Sequence, residues 1–163
     1  MMEKRAKRRV LLVCMGNICR SPLAEGVLKK ILENKGLLEC INVDSAGTHG
    51  YHAGEAPDPR AVAVAARRGY DIKALRARMV RRDDFSVFDL VLAMDRDNLA
   101  NLLEICPPVY QSRVKLFLSY ALDIGIDEVP DPYYGGEAGF EAVLTMVENA
   151  AHGLVETLRR DNS

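Results

Sequence analysis

Four short apolar or mixed runs, Val10 to Cys14, Ile41 to Ser45, Asp89 to Met94 and Val114 to Leu118, are bounded by Gly, Pro or polar clusters, and each leads into a stretch with helical spacing. Short, nearly continuous apolar runs are the mark of strands buried on both faces, and parallel strands need a crossover long enough to hold a helix. After the first run, Ala24, Val27, Leu28, Ile31 and Leu32 keep one apolar face, and Gly36 stands where a helix would stop. Pro59 to Arg68, Asp95 to Ile105 and Glu137 to Arg160 read as further helices. In the last of these, Phe140, Val143, Leu144, Val147, Leu154 and Leu158 form a packing stripe, and Arg159 and Arg160 suit the negative end of the dipole. The pattern predicts an α/β fold: a single three-layer domain with a four-stranded parallel sheet and helices on both faces. With 163 residues and no internal repeat or linker, one domain spanning 1–163 is expected, with about 1–8 and 161–163 as disordered tails.

Charge narrows the partners. The formal net charge is -1, from 22 basic and 23 acidic residues in no long single-sign block, so neither a nucleic acid nor a membrane surface is expected as a partner. The opening MMEKRAKRR is basic but leads into a short strand rather than the apolar region and cleavage site of a signal peptide. Cys14, Cys19, Cys40 and Cys106 lack paired metal spacing, and His49, His52 and His152 do not complete a zinc site with them. A reducing cytoplasm, free thiols, no metal and no cofactor are the expectation.

Two polar, turn-rich segments interrupt the alternation: AGTHGYHAGEAPDP after the second strand and DEVPDPYYGGEAG before the last helix. Ligands of open parallel sheets bind beyond the carboxyl ends of the strands, so these loops are expected to wall a site whose floor is the loop after strand one. That loop lies within VCMGNICRSP, Val13 to Pro22. With Ser21 as N-cap and Pro22 as first helical residue, the backbone N–H groups of Met15, Gly16, Asn17, Ile18, Cys19 and Arg20 can converge on an anion at the positive end of the helix. Gly16 is expected to supply a close approach or an unusual dihedral. No GK[ST] follows the glycine, so this is a phosphate-binding loop of another kind than the Walker type. Glu25 stands one position too far for a capping box and reads as first-turn charge or a contact to a neighbouring loop.

A thiol among inward-pointing amides, at a helix start and beside Arg20 is favoured as thiolate, which makes Cys14 a nucleophile candidate. Arg20 has the planar fork that holds two phosphate oxygens, and Ser21 can donate to the sulfur. A bare C-x5-R spacing recurs by chance; Gly16, Asn17, Ser21 and Pro22 narrow it because all fit one strand, cradle and helix geometry. A thiolate-first phosphoryl transfer needs a carboxylic acid for the leaving oxygen, and Asp131, clamped between Pro130 and Pro132, is the candidate. Tyr133 and Tyr134 beside it can wall an aromatic substrate.

VCMGNICRSP resembles the signature of the low-molecular-weight protein tyrosine phosphatases, and the likeness continues through DSAGT at Asp44 to Thr48, Met94 and Asp95, and DPYYG at Asp131 to Gly135. The resemblance implies metal-free, two-step hydrolysis of phosphotyrosine and small aryl phosphates through a cysteinyl-phosphate. By it Cys14 is the nucleophile, Arg20 the phosphate clamp, Asp131 the general acid and then base, and Asn17, Ser21, Ser45 and Asp95 the supports. Tyr51 resembles a variable position lining the substrate cleft, so Tyr51, Tyr133 and Tyr134 are expected to sandwich the substrate ring. Cys19 resembles the second cysteine with which the family protects an oxidised nucleophile as a disulfide. Inorganic phosphate and other oxyanions are expected inhibitors, and a monomer or weak dimer is expected. One departure is Leu75, where many members carry a histidine that helps fix the loop asparagine. The thiol-dependent arsenate reductases share the cysteine loop but relay a disulfide through two further cysteines after the third strand; here Met94 to Ile105 supplies no thiol and only Cys106 lies nearby, which speaks against a full relay. A phosphate-binding module without turnover is the remaining alternative.

Overall fold

The computed structural model describes residues 7–122 and 124–161. Strands β1 (Arg8–Cys14), β2 (Ile41–Gly47), β3 (Leu90–Ala93) and β4 (Val114–Leu116) form one parallel sheet in the order β2-β1-β3-β4. Five helices join and cover it: α1 (Arg20–Asn34), α2 (Pro59–Arg67), α3 (Asp84–Val87), α4 (Arg96–Ile105) and α5 (Gly136–Asp161). The order places β1 in the interior, and the chain passes to one side of it for β2 and to the other for β3. That reversal is the topological switch point at which open sheets of this kind hold ligands.

Side chains of a strand alternate between faces, and β1 shows it: Val10, Leu12 and Cys14 join one buried cluster, Leu11 and Val13 the other. The first cluster lies under α1, α2 and α5 and includes Leu28, Leu32, Val64, Val143 and Val147. The second lies under α3 and α4 and includes Phe85, Phe88 and Leu102. The expected layers are therefore present. α1 ends as its glycine predicts, with Gly36 at φ 69° and the Leu37 N–H returning to the Leu32 carbonyl at 2.8 Å. Asp58 caps α2 by accepting from the Arg60 N–H at 2.8 Å, and Pro59 follows it at the first helical position.

Two expectations need correction, and two short elements escaped the sequence reading. Strand four stops at Leu116 because Phe117–Tyr120 winds into a 3₁₀ turn that buries Phe117. The short α3 and the 3₁₀ segment Pro108–Arg113 carry too few turns to leave a readable period. Of the expected tails at 1–8 and 161–163, residues 1–6 and 162–163 lie outside the described residues, while Arg8 pairs with β2 and Asp161 belongs to α5. Among the described residues no helix is long and apolar enough to cross a membrane.

Candidate active site

At the end of β1 the backbone stays attached to the sheet for two more residues: Thr48 N–H donates to the Cys14 carbonyl at 2.9 Å and His49 N–H to Met15 at 3.0 Å. The chain then turns through Asn17, the one non-glycine among the described residues at positive φ, 59°. The unusual dihedral expected of Gly16 thus falls on Asn17, a residue that tolerates the left-handed region. At Gly16 the constraint is one of space, since a Cβ there would stand 3.0 Å from His52 Cδ2 and press on that ring.

Asn17 is buried and anchored at both ends of its amide. Its Nδ2 donates to Ser21 Oγ at 2.7 Å and to Ser45 Oγ at 3.0 Å, and its Oδ1 accepts from the Arg78 N–H at 3.0 Å. The backbone of Arg78 therefore gives the loop asparagine an anchor in a chain whose Leu75 packs against the core. Ser45 Oγ lies 2.6 Å from Glu25 Oε1, and the other carboxylate oxygen pairs with Lys29. A carboxylate held by a lysine has no hydrogen to give, which settles the directions along this chain of contacts. Ser45 gives its hydrogen to Glu25 and receives one from Asn17. Both Asn17 amide hydrogens are then committed, and Ser21, which receives the second, has its own hydrogen for Cys14 Sγ at 3.0 Å. Asn17 N–H also points at that sulfur, at 3.3 Å. Ser21 is consequently not the N-cap: α1 begins at Arg20, and the hydroxyl serves the sulfur rather than the helix end. Glu25 is the contact to a neighbouring element that its position allowed.

Arg20, 3% exposed, opens α1 with its side chain turned into the protein. Its Nη1 donates to Asp95 Oδ2 at 2.6 Å and to the Val129 carbonyl at 3.0 Å, while Nη2 stands 4.0 Å from Asp131 Oδ2. Burial opposes its charge, but the Cys14 sulfur, the Asp95 hydrogen bond and Asp131 outweigh that and raise its pKa. Asp95 divides its oxygens: Oδ2 holds Arg20 and Oδ1 caps α4 by accepting from Asn98 N–H at 2.8 Å. Asp131 sits in a turn closed by its own Oδ1, which accepts from Tyr133 N–H at 3.1 Å.

These parts surround a cleft of about 200 Å³. Cys14, Met15, Gly16, Ile18, Cys19 and Arg20 form its floor, with Asp131, Tyr133 and Tyr134 from one loop and His52 from the other. Asn17, Ser21, Ser45 and Asp95 do not line it; they brace it from beneath. Tyr51, expected in the cleft, is 73% exposed and stacks on His49 with ring centroids 5.1 Å apart, so His52 takes the place assigned to it. Tyr133 and Tyr134 meet edge to face at 5.0 Å. Cys19 is buried, and that burial, with repulsion from Asp58, Cys14 and Asp131, pushes its thiol up to about 12. Cys14 and Cys19 are both free. Sequence reasoning missed Arg78, whose contribution is a backbone N–H that no side chain advertises, and weighed His52 only as a zinc ligand.

With an anion-sized cradle, a buried guanidinium, a sulfur and a carboxyl in one cleft, the arrangement suits transfer of a phosphoryl group. Comparison with known proteins agrees. The family model described as low molecular weight phosphotyrosine protein phosphatase matches residues 9–163. A low molecular weight protein-tyrosine-phosphatase of Streptomyces coelicolor is 46% identical over 154 residues, covering 93% of each chain. The crystal structure of a protein tyrosine phosphatase from Entamoeba histolytica superposes with a TM-score of 0.93 at 42% identity, covering 96% of this chain and 100% of that one. The structure of YfkJ from Bacillus subtilis gives a TM-score of 0.93 at 34% identity, over 99% and 100% of the two chains. The chain belongs to the low molecular weight phosphotyrosine protein phosphatase family.

Proposed function

We propose that this protein hydrolyses phosphotyrosine in proteins, and small aryl phosphate monoesters, through a covalent phosphocysteine. The observation that carries the reading is the directed hydrogen bonding at Cys14: Ser21 and the Asn17 amide aim hydrogens at a sulfur that shares its cleft with Arg20 and Asp131. In the first step Cys14 Sγ attacks phosphorus, the bond to the phenolic oxygen breaks, and Asp131 gives that oxygen its proton. Arg20, charged throughout, follows the equatorial oxygens with the donors that Asp95 and Val129 leave over. In the second step a water loses its proton to Asp131 and attacks phosphorus, the S–P bond breaks, and the two donors at the sulfur ease its departure. Tyr133 and Tyr134 offer aromatic surface to the phenyl ring.

The same reading makes inorganic phosphate and other oxyanions competitive inhibitors, places the enzyme in a reducing cytoplasm as a monomer or weak dimer, and gives Cys19 the part of redox partner to Cys14. Turnover of p-nitrophenyl phosphate by wild type and Cys14→Ser, with EDTA present and with phosphate or vanadate as inhibitor, tests it. The expected result is turnover in wild type that EDTA leaves intact, and a loss of at least about 10³-fold in the variant, since a hydroxyl is a far weaker nucleophile at this pH. A folded, reduced wild type without turnover would leave a binding module in its place.

A further inference from the structure

The turn that carries Asp131 is anchored on its near side by buried Val129, whose N–H donates to the Met94 carbonyl at 2.8 Å and whose carbonyl accepts from Arg20 at 3.0 Å; past that residue the ties are few. Two of its contacts are internal: Asp131 Oδ1 with Tyr133 N–H, and the Gly135 N–H donating to the Pro132 carbonyl at 2.9 Å. Arg20 stands at 4.0 Å from Asp131, beyond hydrogen-bond distance. Among the described residues, the hydrogen bond that reaches residues 130–135 from another element comes from Arg60 in α2, whose Nη1 donates to the Tyr133 carbonyl at 2.8 Å. The same guanidinium lies over the Tyr133 ring, 5.1 Å from its centroid, and over the buried Phe140 ring at 4.8 Å.

Arg60 is itself aimed. Its Nε and Nη2 donate to the two oxygens of Asp58 at 3.0 and 2.8 Å, a two-point grip that leaves Nη1 for Tyr133. Asp58 is joined to the nucleophile loop, because its N–H donates to the Ile18 carbonyl at 2.8 Å. One continuous line therefore runs from Ile18 through Asp58 and Arg60 to Tyr133 and Asp131. The start of α2 thus links the loop holding the sulfur to the far side of the loop holding the carboxyl.

We propose that Arg60 is a positioning residue for Asp131: it touches neither phosphate nor leaving group and acts by fixing where the carboxyl reaches over the cleft. The proposal rests on Asp131 being the proton donor. Proton delivery is worth most when the leaving oxygen is basic, so a misplaced acid shows as a steeper dependence on the leaving group rather than as a uniform loss. A lysine offers one point charge in place of the planar fork and loses the two-point grip on Asp58 that aims Nη1 at Tyr133, so the fork matters as well as the charge.

The experiment measures kcat/KM for a series from p-nitrophenyl phosphate to phenyl phosphate in wild type, Arg60→Ala, Arg60→Lys, Asp131→Asn and Arg60→Ala/Asp131→Asn. Arg60→Ala is expected to lose about tenfold on phenyl phosphate and less than about threefold on p-nitrophenyl phosphate, with inhibition by inorganic phosphate unchanged. Arg60→Lys shows the same trend more weakly, and serves alone if the alanine variant fails to fold. In the Asp131→Asn background the second substitution adds no further leaving-group dependence. A uniform loss across the series, no loss, or an Arg60 effect that persists without Asp131 overturns the proposal while leaving the acid in place. If Asp131→Asn itself leaves the series flat, the acid assignment fails and the proposal falls with it.

Discussion

Cys19 shares the cleft floor with Cys14, yet its burial and the neighbouring Asp58, Cys14 and Asp131 push its thiol from 9.0 up to about 12. At neutral pH it is a protonated thiol, and only the thiolate attacks oxidised sulfur. If peroxide converts Cys14 to a sulfenic acid, closure with Cys19 forms the S–S bond and releases water, at a rate that follows the scarce Cys19 thiolate. That rate should rise about tenfold per pH unit between 7 and 9, read by thiol loss and mass after a peroxide pulse. A rate independent of pH would refute the buried-thiol assignment. The sign for folding is the same: the raised pKa favours the native state below about 9.0, and this contribution fades as pH climbs towards 12. At this scale the motif made Cys14, Arg20 and Asp131 legible in the sequence, and the structure gathers them in one cleft. It did not reveal that His52 would line the cleft and Tyr51 would not, because neighbouring loop residues point different ways and the choice rests on stacking between Tyr51 and His49. Nor did it show that Glu25 braces the loop through Ser45: the contact spans 20 positions of sequence, which no local pattern records.

α5 crosses the turn Phe117–Tyr120 so closely that a Cβ built on Gly153 would stand 1.8 Å from the Tyr120 carbonyl oxygen. Helix propensity alone says that Gly153→Ala should stabilise by about 0.5–1 kcal/mol. The contact says the opposite, and backbone oxygen cannot swing aside as a side chain would. A loss of about 1–3 kcal/mol is expected, or roughly 2–12 °C in melting temperature, read by thermal unfolding. An unchanged or higher melting temperature would mean that α5 sits farther from this turn. Helices α1, α2, α4 and α5 were readable in the sequence, α1 and α5 by their 3.6-residue stripes, and the four strands were readable from apolar runs. What escaped was where strands give way: β4 yields to a 3₁₀ turn after three residues because burying Phe117 there decides the path, a tertiary preference rather than a local one.

Taken whole, the site draws on the end of β1, the start of α1, β2, the 78–80 segment, the cap of α4 and the 129–134 loop, all meeting where the sheet order reverses. A ligand that binds such an assembly only when folded stabilises all of it. Inorganic phosphate at about 100 times its Kd should add about 2.7 kcal/mol and raise the melting temperature by roughly 5–10 °C. The rise should vanish in Arg20→Ala; a rise that survives in that variant would place the bound anion elsewhere. The position of α5 carries one more consequence. Cys14, Arg20 and Asp131 all precede Gly136, where α5 starts, and α5 supplies Val143, Leu144 and Val147 to the cluster that packs beneath β1 and Cys14 itself. While the chain is being synthesised, every chemical group of the cleft has emerged before the element that roofs the sheet beneath it. Reactivity of the growing polypeptide thus waits for α5, and a ribosome-bound chain halted at residue 135 holds all the reagents without yet being an enzyme.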